Sequence, residues 1–129
     1  MTSTFQTFDE FWPFYVREHA NKQNRQLHFV GTTLALGLVA GGLLTKRRWM
    51  LLAAPVAGYG FAWVGHFLVE GNRPATFKHP LWSLRGDFKM WSMMVRGEMD
   101  AEVERVVGAE PVPVQKQPPA ANGADPSVN

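Results

Sequence analysis

The sequence contains no cysteine, which excludes disulfides and thiolate metal sites and leaves any metal to nitrogen and oxygen ligands. An excess of one charge is nearly lacking too. Thirteen basic and 11 acidic residues leave a formal net charge of +2, and without a basic stripe carrying interleaved aromatics no nucleic-acid partner is expected. The N-terminus is aromatic and acidic where a secretory leader needs a basic start and an apolar core, so no cleavable signal peptide is expected. At 129 residues the chain is one domain at most.

What is there is concentrated in the middle. Residues 27–44 and 49–69 contain no Asp, Glu, Lys or Arg, and the basic turn Lys46, Arg47, Arg48 lies between them. The mean hydropathy of −0.15 averages these runs with a polar, proline-rich end. Each run approaches the ~20 residues that cross a hydrocarbon core. The pattern predicts an all-α fold: a membrane-embedded helical hairpin, with spans at about 27–45 and 49–70, inside a helical membrane domain of residues 1–107. A soluble bundle that buries the hairpin is the alternative. Gly37 and Gly41 have the GxxxG spacing of close helix pairs. Pro55, Gly58 and Gly60 in the second run are better tolerated in lipid than in water.

Two further helices flank the hairpin. Thr7 and Glu10 have capping-box spacing, and Phe8, Phe11, Trp12, Tyr15 and Val16 follow as an N-terminal aromatic helix face. Pro13 is expected to interrupt this helix or to lie near its start. After the spans, Leu81, Leu84, Phe88, Trp91 and Val95 trace one stripe. This predicts a C-terminal amphipathic interfacial helix that lies on the membrane or closes over the hairpin. Gly97 separates it from a short helix around 98–107, and residues 108–129, rich in Pro and Ala, read as a disordered tail.

The four histidines carry the functional signal. His28 lies eighteen residues before Lys46 and His66 eighteen after Arg48, so both sit roughly 27 Å from the bend and at the same depth. His19 and His79 flank the outer ends of the runs. His19 and His28 are nine apart, which puts them on opposite sides of a continuous helix and demands a break across 20–24, with Asn24 as the expected N-cap. Pro80 biases His79 toward extended backbone, from which a loop histidine could reach the same end. His66 and Glu70 share a helix face.

Imidazole suits iron, zinc and copper, so His19, His28, His66 and His79, with Glu70 as a possible fifth, are the candidate metal ligands. A single interfacial histidine is more often a hydrogen-bonded side chain, but four at one level, at membrane depth, point to function. Arg17, Lys22, Arg25, Arg73, Lys78, Arg85 and Lys89 outnumber the turn cations, so the positive-inside rule places the histidine end and both termini in the cytoplasm. The turn cations Lys46, Arg47 and Arg48 oppose this orientation.

Tyr15-x3-His19, Asn24-x3-His28-x2-Gly31, Gly65-His66-x3-Glu70 and Asn72-Arg-Pro-Ala75 resemble the small membrane-protein family whose fungal member is the 2-hydroxy fatty acid dioxygenase of phytosphingosine breakdown. The resemblance spans residues 8–99. It implies Fe2+-dependent alpha-oxidation, in which a 2-hydroxy fatty acid and O2 give a product one carbon shorter. It also implies that the family's histidines correspond to His19, His28, His66 and His79. With that substrate, Arg73, Lys78, Asn24 and Tyr15 are candidates to bind the head group, and Phe14, Trp63 and Phe67 to line the chain, although core packing is the commoner role for such rings. Two other classes compete. One is a non-enzymatic membrane hairpin that binds a partner or lipid, and the other is a zinc-dependent lipid hydrolase with Glu70 as base.

Overall fold

The computed structural model describes residues 5–109. Among them every regular element is helical: α1 (Phe8–Glu18), α2 (Lys22–Thr45), α3 (Arg48–Val64), which continues as a π-helical segment (Gly65–Glu70), a short 3-10 turn (Ala75–Phe77), α4 (Pro80–Val95) and α5 (Met99–Ala109). The predicted all-α hairpin is therefore the architecture. Of the tail expected from residue 108, Gly108 and Ala109 end α5, and residues 110–129 lie outside the described residues.

The hairpin helices start earlier than their apolar runs, α2 because a polar side chain caps it and α3 at Arg48 without a side-chain cap. Asn21, not Asn24, is the N-cap of α2, and its side chain accepts from the amides of Gln23 and Asn24. At the bend, Lys46 takes a left-handed conformation with φ 60°. Of the GxxxG pair, Gly41 meets α3, a Cβ there lying 2.7 Å from Met50 Cε, but Gly37 does not. A Cβ at Gly37 would meet nothing within 4 Å, whereas one at Gly31 would lie 2.8 Å from Phe61 Cβ and 3.1 Å from the Gly58 carbonyl.

The 24-residue Lys22–Thr45 and the 23-residue Arg48–Glu70 are long and apolar enough to cross a membrane, with mean hydropathies of 1.7 and 1.4. Only 17% and 22% of their apolar windows are buried. The rest of the described chain does not cover them, and side chains such as Leu44 (84% exposed) and Leu52 (74%) point outward.

The densely packed core lies beyond the hairpin's outer end. Phe11, Tyr15 and Val16 of α1 are wholly buried and meet Met90 of α4 and Met99 and Val106 of α5. Each such large side chain contributes about 1.5–3 kcal/mol by leaving water. Thr7 caps α1 by accepting from Glu10 N at 3.2 Å, but Glu10 answers with a bond from Gln6 N at 2.7 Å rather than from Thr7. Pro13 does not interrupt α1. It sits one turn in, and the carbonyl to which it cannot donate belongs to exposed Asp9, where water can reach it.

The apolar stripe of α4 is not its buried face. Ser83, Gly86 and Met90 are buried, whereas Leu81 (78% exposed) and Val95 (58%) are not. The reason is the ring of Tyr15, which needs a side without side chains and finds it at Gly86. The stripe's middle closes over the hairpin instead. Trp91 stacks on Phe29 and donates to Thr33 Oγ1 at 2.9 Å.

Candidate metal centre

Three helix ends bring three histidines together. His19 is the C-cap of α1 and has left helical geometry, with φ −122°. Arg25 fixes the break by donating to the carbonyls of His19 (3.0 Å) and Ala20 (2.7 Å) while pairing with Asp100 at 2.8 Å. That break brings His19 back over α2, where it faces His28 despite the nine-residue spacing. His66 comes from the π-helical segment, whose wider turn ends on Gly71 with φ 76°.

All three rings are buried and nearly perpendicular to one another, with interplanar angles of 81°, 80° and 90°. His19 Nε2 lies 3.1 Å from His28 Nε2 and 3.0 Å from His66 Nε2. The other nitrogen of each ring faces an oxygen that can only accept. His19 Nδ1 donates to the Tyr15 carbonyl (2.7 Å), His28 Nδ1 to the Asn24 carbonyl (3.0 Å) and His66 Nδ1 to Asn72 Oδ1 (2.7 Å). The Asn72 amide is oriented by its own bond, Nδ2 donating to the Glu18 carbonyl at 3.2 Å.

With every Nδ1 carrying the proton, each Nε2 presents a lone pair. Three lone pairs within 4.8 Å of one another have no proton to share. A cation resolves this, and the outward hydrogen bonds are those that metal-binding histidines make. The Nε2 atoms of His28 and His66 each lie 3.0–3.1 Å from that of His19, close enough for neighbouring imidazoles to share one ion at about 2.1 Å. His19 is pushed well below the usual histidine pKa, first by burial and then by the neighbouring His28 and His66. Neutral imidazole is the form a metal needs.

The remaining expected ligands are elsewhere. His79 is not brought to the triad; it lies among the rings of Phe5, Phe11, Phe14 and Trp82, at centroid distances of 5.3–6.2 Å. Glu70 is engaged by the start of α2. Both its oxygens accept from Asn21 N at 3.2 Å, and Oε1 also accepts from Asn24 Nδ2 at 3.0 Å. It closes the open end of the hairpin rather than standing free as a base. Asn24 Oδ1 is buried without a partner and presses on Gly65, where a Cβ would collide with it.

Tyr15 lies flat on His19, with ring centroids 3.9 Å apart, and its hydroxyl donates to Asp87 Oδ1 at 2.5 Å. Burial, then Asp87, raises Tyr15 well above its usual pKa, and burial pushes Asp87 up to about 7. Asp87 and His28 stand in the wall of one cavity of about 290 Å³, which is otherwise mostly apolar. A second cavity, of about 370 Å³, is lined by Arg73, Lys78 and His79 with Phe14 and Glu18. The expected head-group cations thus share a cavity with His79. Trp63 and Phe67 pack on Phe77 and are not in the wall of the cavity beside His28.

Asn72, Asp87 and Gly86 belong to this site and were not among the candidate residues. Asn72 stands in the quoted Asn72-Arg-Pro-Ala75 motif and reads from sequence as a turn residue. Nothing local marks the other two, since their partner Tyr15 is some seventy residues away in the chain. The family described as 2-hydroxy-palmitic acid dioxygenase Mpo1-like matches residues 5–99. No curated protein and no solved structure matches the chain.

Proposed function

The chain belongs to the 2-hydroxy-palmitic acid dioxygenase Mpo1-like family, and on that premise we propose that it is an iron-dependent dioxygenase of lipid metabolism that shortens 2-hydroxy fatty acids by one carbon. The observation that carries the reading is the set of three Nε2 lone pairs turned on one another while every Nδ1 proton is tied outward. His19, His28 and His66 are the residues that would hold Fe2+. When bound, ferrous iron supplies the one-electron chemistry that O2 requires.

The chain's own groups orient and protonate. The carbonyls of Tyr15 and Asn24 and the amide of Asn72 hold the three tautomers and make the facing nitrogens better donors. Asp87, beside His28 and titrating near neutrality, holds a proton that it can give to, or take from, the hydroxy-acid head. Tyr15 fixes that carboxyl through its hydroxyl. Arg73 and Lys78 stand exposed in the neighbouring cavity, suited to drawing an anionic head group toward this end of the bundle.

The apolar, largely uncovered hairpin supports integral membrane insertion, with the histidine end and the termini on the cytoplasmic side. The engaged Glu70 weighs against the hydrolase alternative. The test is a lipid assay on iron-loaded protein with and without air. The dioxygenase consumes 2-hydroxy fatty acid only when O2 is present, whereas oxygen-independent turnover would indicate a hydrolase.

A further inference from the structure

The cavity beside His28 extends away from the triad along the hairpin. On α2 its wall is His28, Thr32, Ala35 and Val39, with steps of four, three and four that keep to one helix face. On α3, Ala54, Gly58 and Ala62 continue it at steps of four. The two helices run antiparallel, with Gly31 against Phe61 and Gly42 against Leu51. This register pairs Val39 with Ala54 toward the bend and places Ala62 toward the His28 end. Leu84 and Phe88 of α4 close the side, next to Asp87.

One end of this groove therefore offers a triad imidazole and a carboxyl, and the rest is walled by small apolar groups together with the larger Tyr59, Leu84 and Phe88. We propose that it holds the acyl chain of the substrate, head at His28 and Asp87, and that Val39 and Ala54 at the far end set the chain length accepted. The inference rests on the reading that the substrate is a 2-hydroxy fatty acid, and it adds where the chain lies and what limits it. Eleven residues separate His28 from Val39, about 16 Å of helix, and carbon–carbon bonds of about 1.5 Å advance a zigzag chain by about 1.25 Å each, so roughly thirteen methylenes fit.

The head end also selects the occupant. A hydroxy acid can share a proton with Asp87, as paired carboxyls do, whereas the phosphodiester of a membrane phospholipid would bring a permanent negative charge against it. The groove is thus a single-chain acid site rather than a berth for a bilayer lipid.

The test uses the full chain, iron-loaded and kept anaerobic in lipid nanodiscs. An equimolar homologous series of saturated 2-hydroxy fatty acids is offered, and retained species are read by native mass spectrometry. Val39→Phe shortens the longest retained chain. Thr32→Phe, which places the ring about 10 Å nearer the head, shortens it by about eight methylenes more. Val39 is 38% exposed and accommodates the ring, so the outcome does not depend on Thr32→Phe folding. Val56→Phe, on the outward face at 72% exposure, leaves the profile unchanged. An identical profile in wild type and Val39→Phe overturns the assignment, as does displacement of the acids by a phospholipid bearing the same chains. Retention is read without O2, so a graded shift in a protein that turns nothing over leaves the groove assignment standing and sinks only the dioxygenase reading. Turnover with an unshifted profile does the reverse.

Discussion

Asn72 reaches back across the end of the hairpin to His66, its Oδ1 accepting the Nδ1 proton at 2.7 Å. The contact joins the turn after the π-helical segment to the ring that segment presents, and Asn72 in turn is held by the Glu18 carbonyl. Removing the acceptor frees the His66 ring to rotate and to move its proton to the nitrogen that faces the triad. Asn72→Ala is expected to weaken iron binding about 10- to 100-fold, and Asn72→Asp, which keeps the acceptor, to retain most of it. Iron titration of the two variants checks the difference, and equal loss in both would mean that the acceptor is not what matters.

Gly65 and Asn24 occupy each other's space. A side chain at position 65 must displace the Asn24 amide, whose backbone carbonyl orients His28 and whose Nδ2 reaches Glu70. Gly65→Ala is expected to cost about 1–3 kcal/mol and to lower iron occupancy together with stability. Gly60→Ala, where a Cβ would meet nothing within 4 Å, is the matched control and should lose neither. Thermal unfolding and metal analysis of both variants decide it.

Asp87 makes a pH prediction with a definite sign. Its folded-state pKa is raised from 3.8 to about 7, so the native state holds the proton more tightly than the unfolded chain. Its contribution is complete below the unfolded value and is lost as pH rises through 7. Asp87→Asn, which keeps an acceptor for Tyr15 and carries no charge, should therefore gain on the wild type as pH rises and level off above 7. The part-exposed carboxyl brings the difference between pH about 4 and about 8 to the order of 1–3 kcal/mol. Unfolding of metal-free protein across this range measures it, and a gain confined to acid pH would contradict the assignment.

His79 separates ring packing from ligation. Its neighbours are aromatic and the triad is elsewhere, so His79→Phe should keep the iron. His79→Ala should cost about 1–3 kcal/mol through two or more lost ring contacts. Loss of iron in His79→Phe would restore the four-histidine set that the sequence suggests.

Much of this site is legible in the residues, for identifiable reasons. His28 and His66 sit on long helices joined by a short turn, so rise per residue alone puts them level. His19 joins them because the nine-residue spacing forces a break, although the cap is Asn21 rather than Asn24. His79 is different. Pro80 predicts its extended entry into α4, but its position is decided by Phe5, Phe11, Phe14 and Trp82, which no local pattern associates with it. The buried face of α4 is likewise set by the distant Tyr15 ring at Gly86 rather than by its own apolar stripe. The π-helical turn that aims His66 has no signal in periodicity at all, since an added residue per turn changes register without changing composition.

The central claim is that His19, His28 and His66 together hold one iron. The direct measurement is the iron content of full-length protein purified under anaerobic conditions, for the wild type and for His19→Ala, His28→Ala and His66→Ala, with retained helicity confirmed by circular dichroism. The account predicts about one ion per wild-type chain and little in any of the three variants, because removing one of three ligands loses the site. Folded variants that keep their iron, or a metal-free wild type that turns over 2-hydroxy fatty acid at full rate, would contradict it.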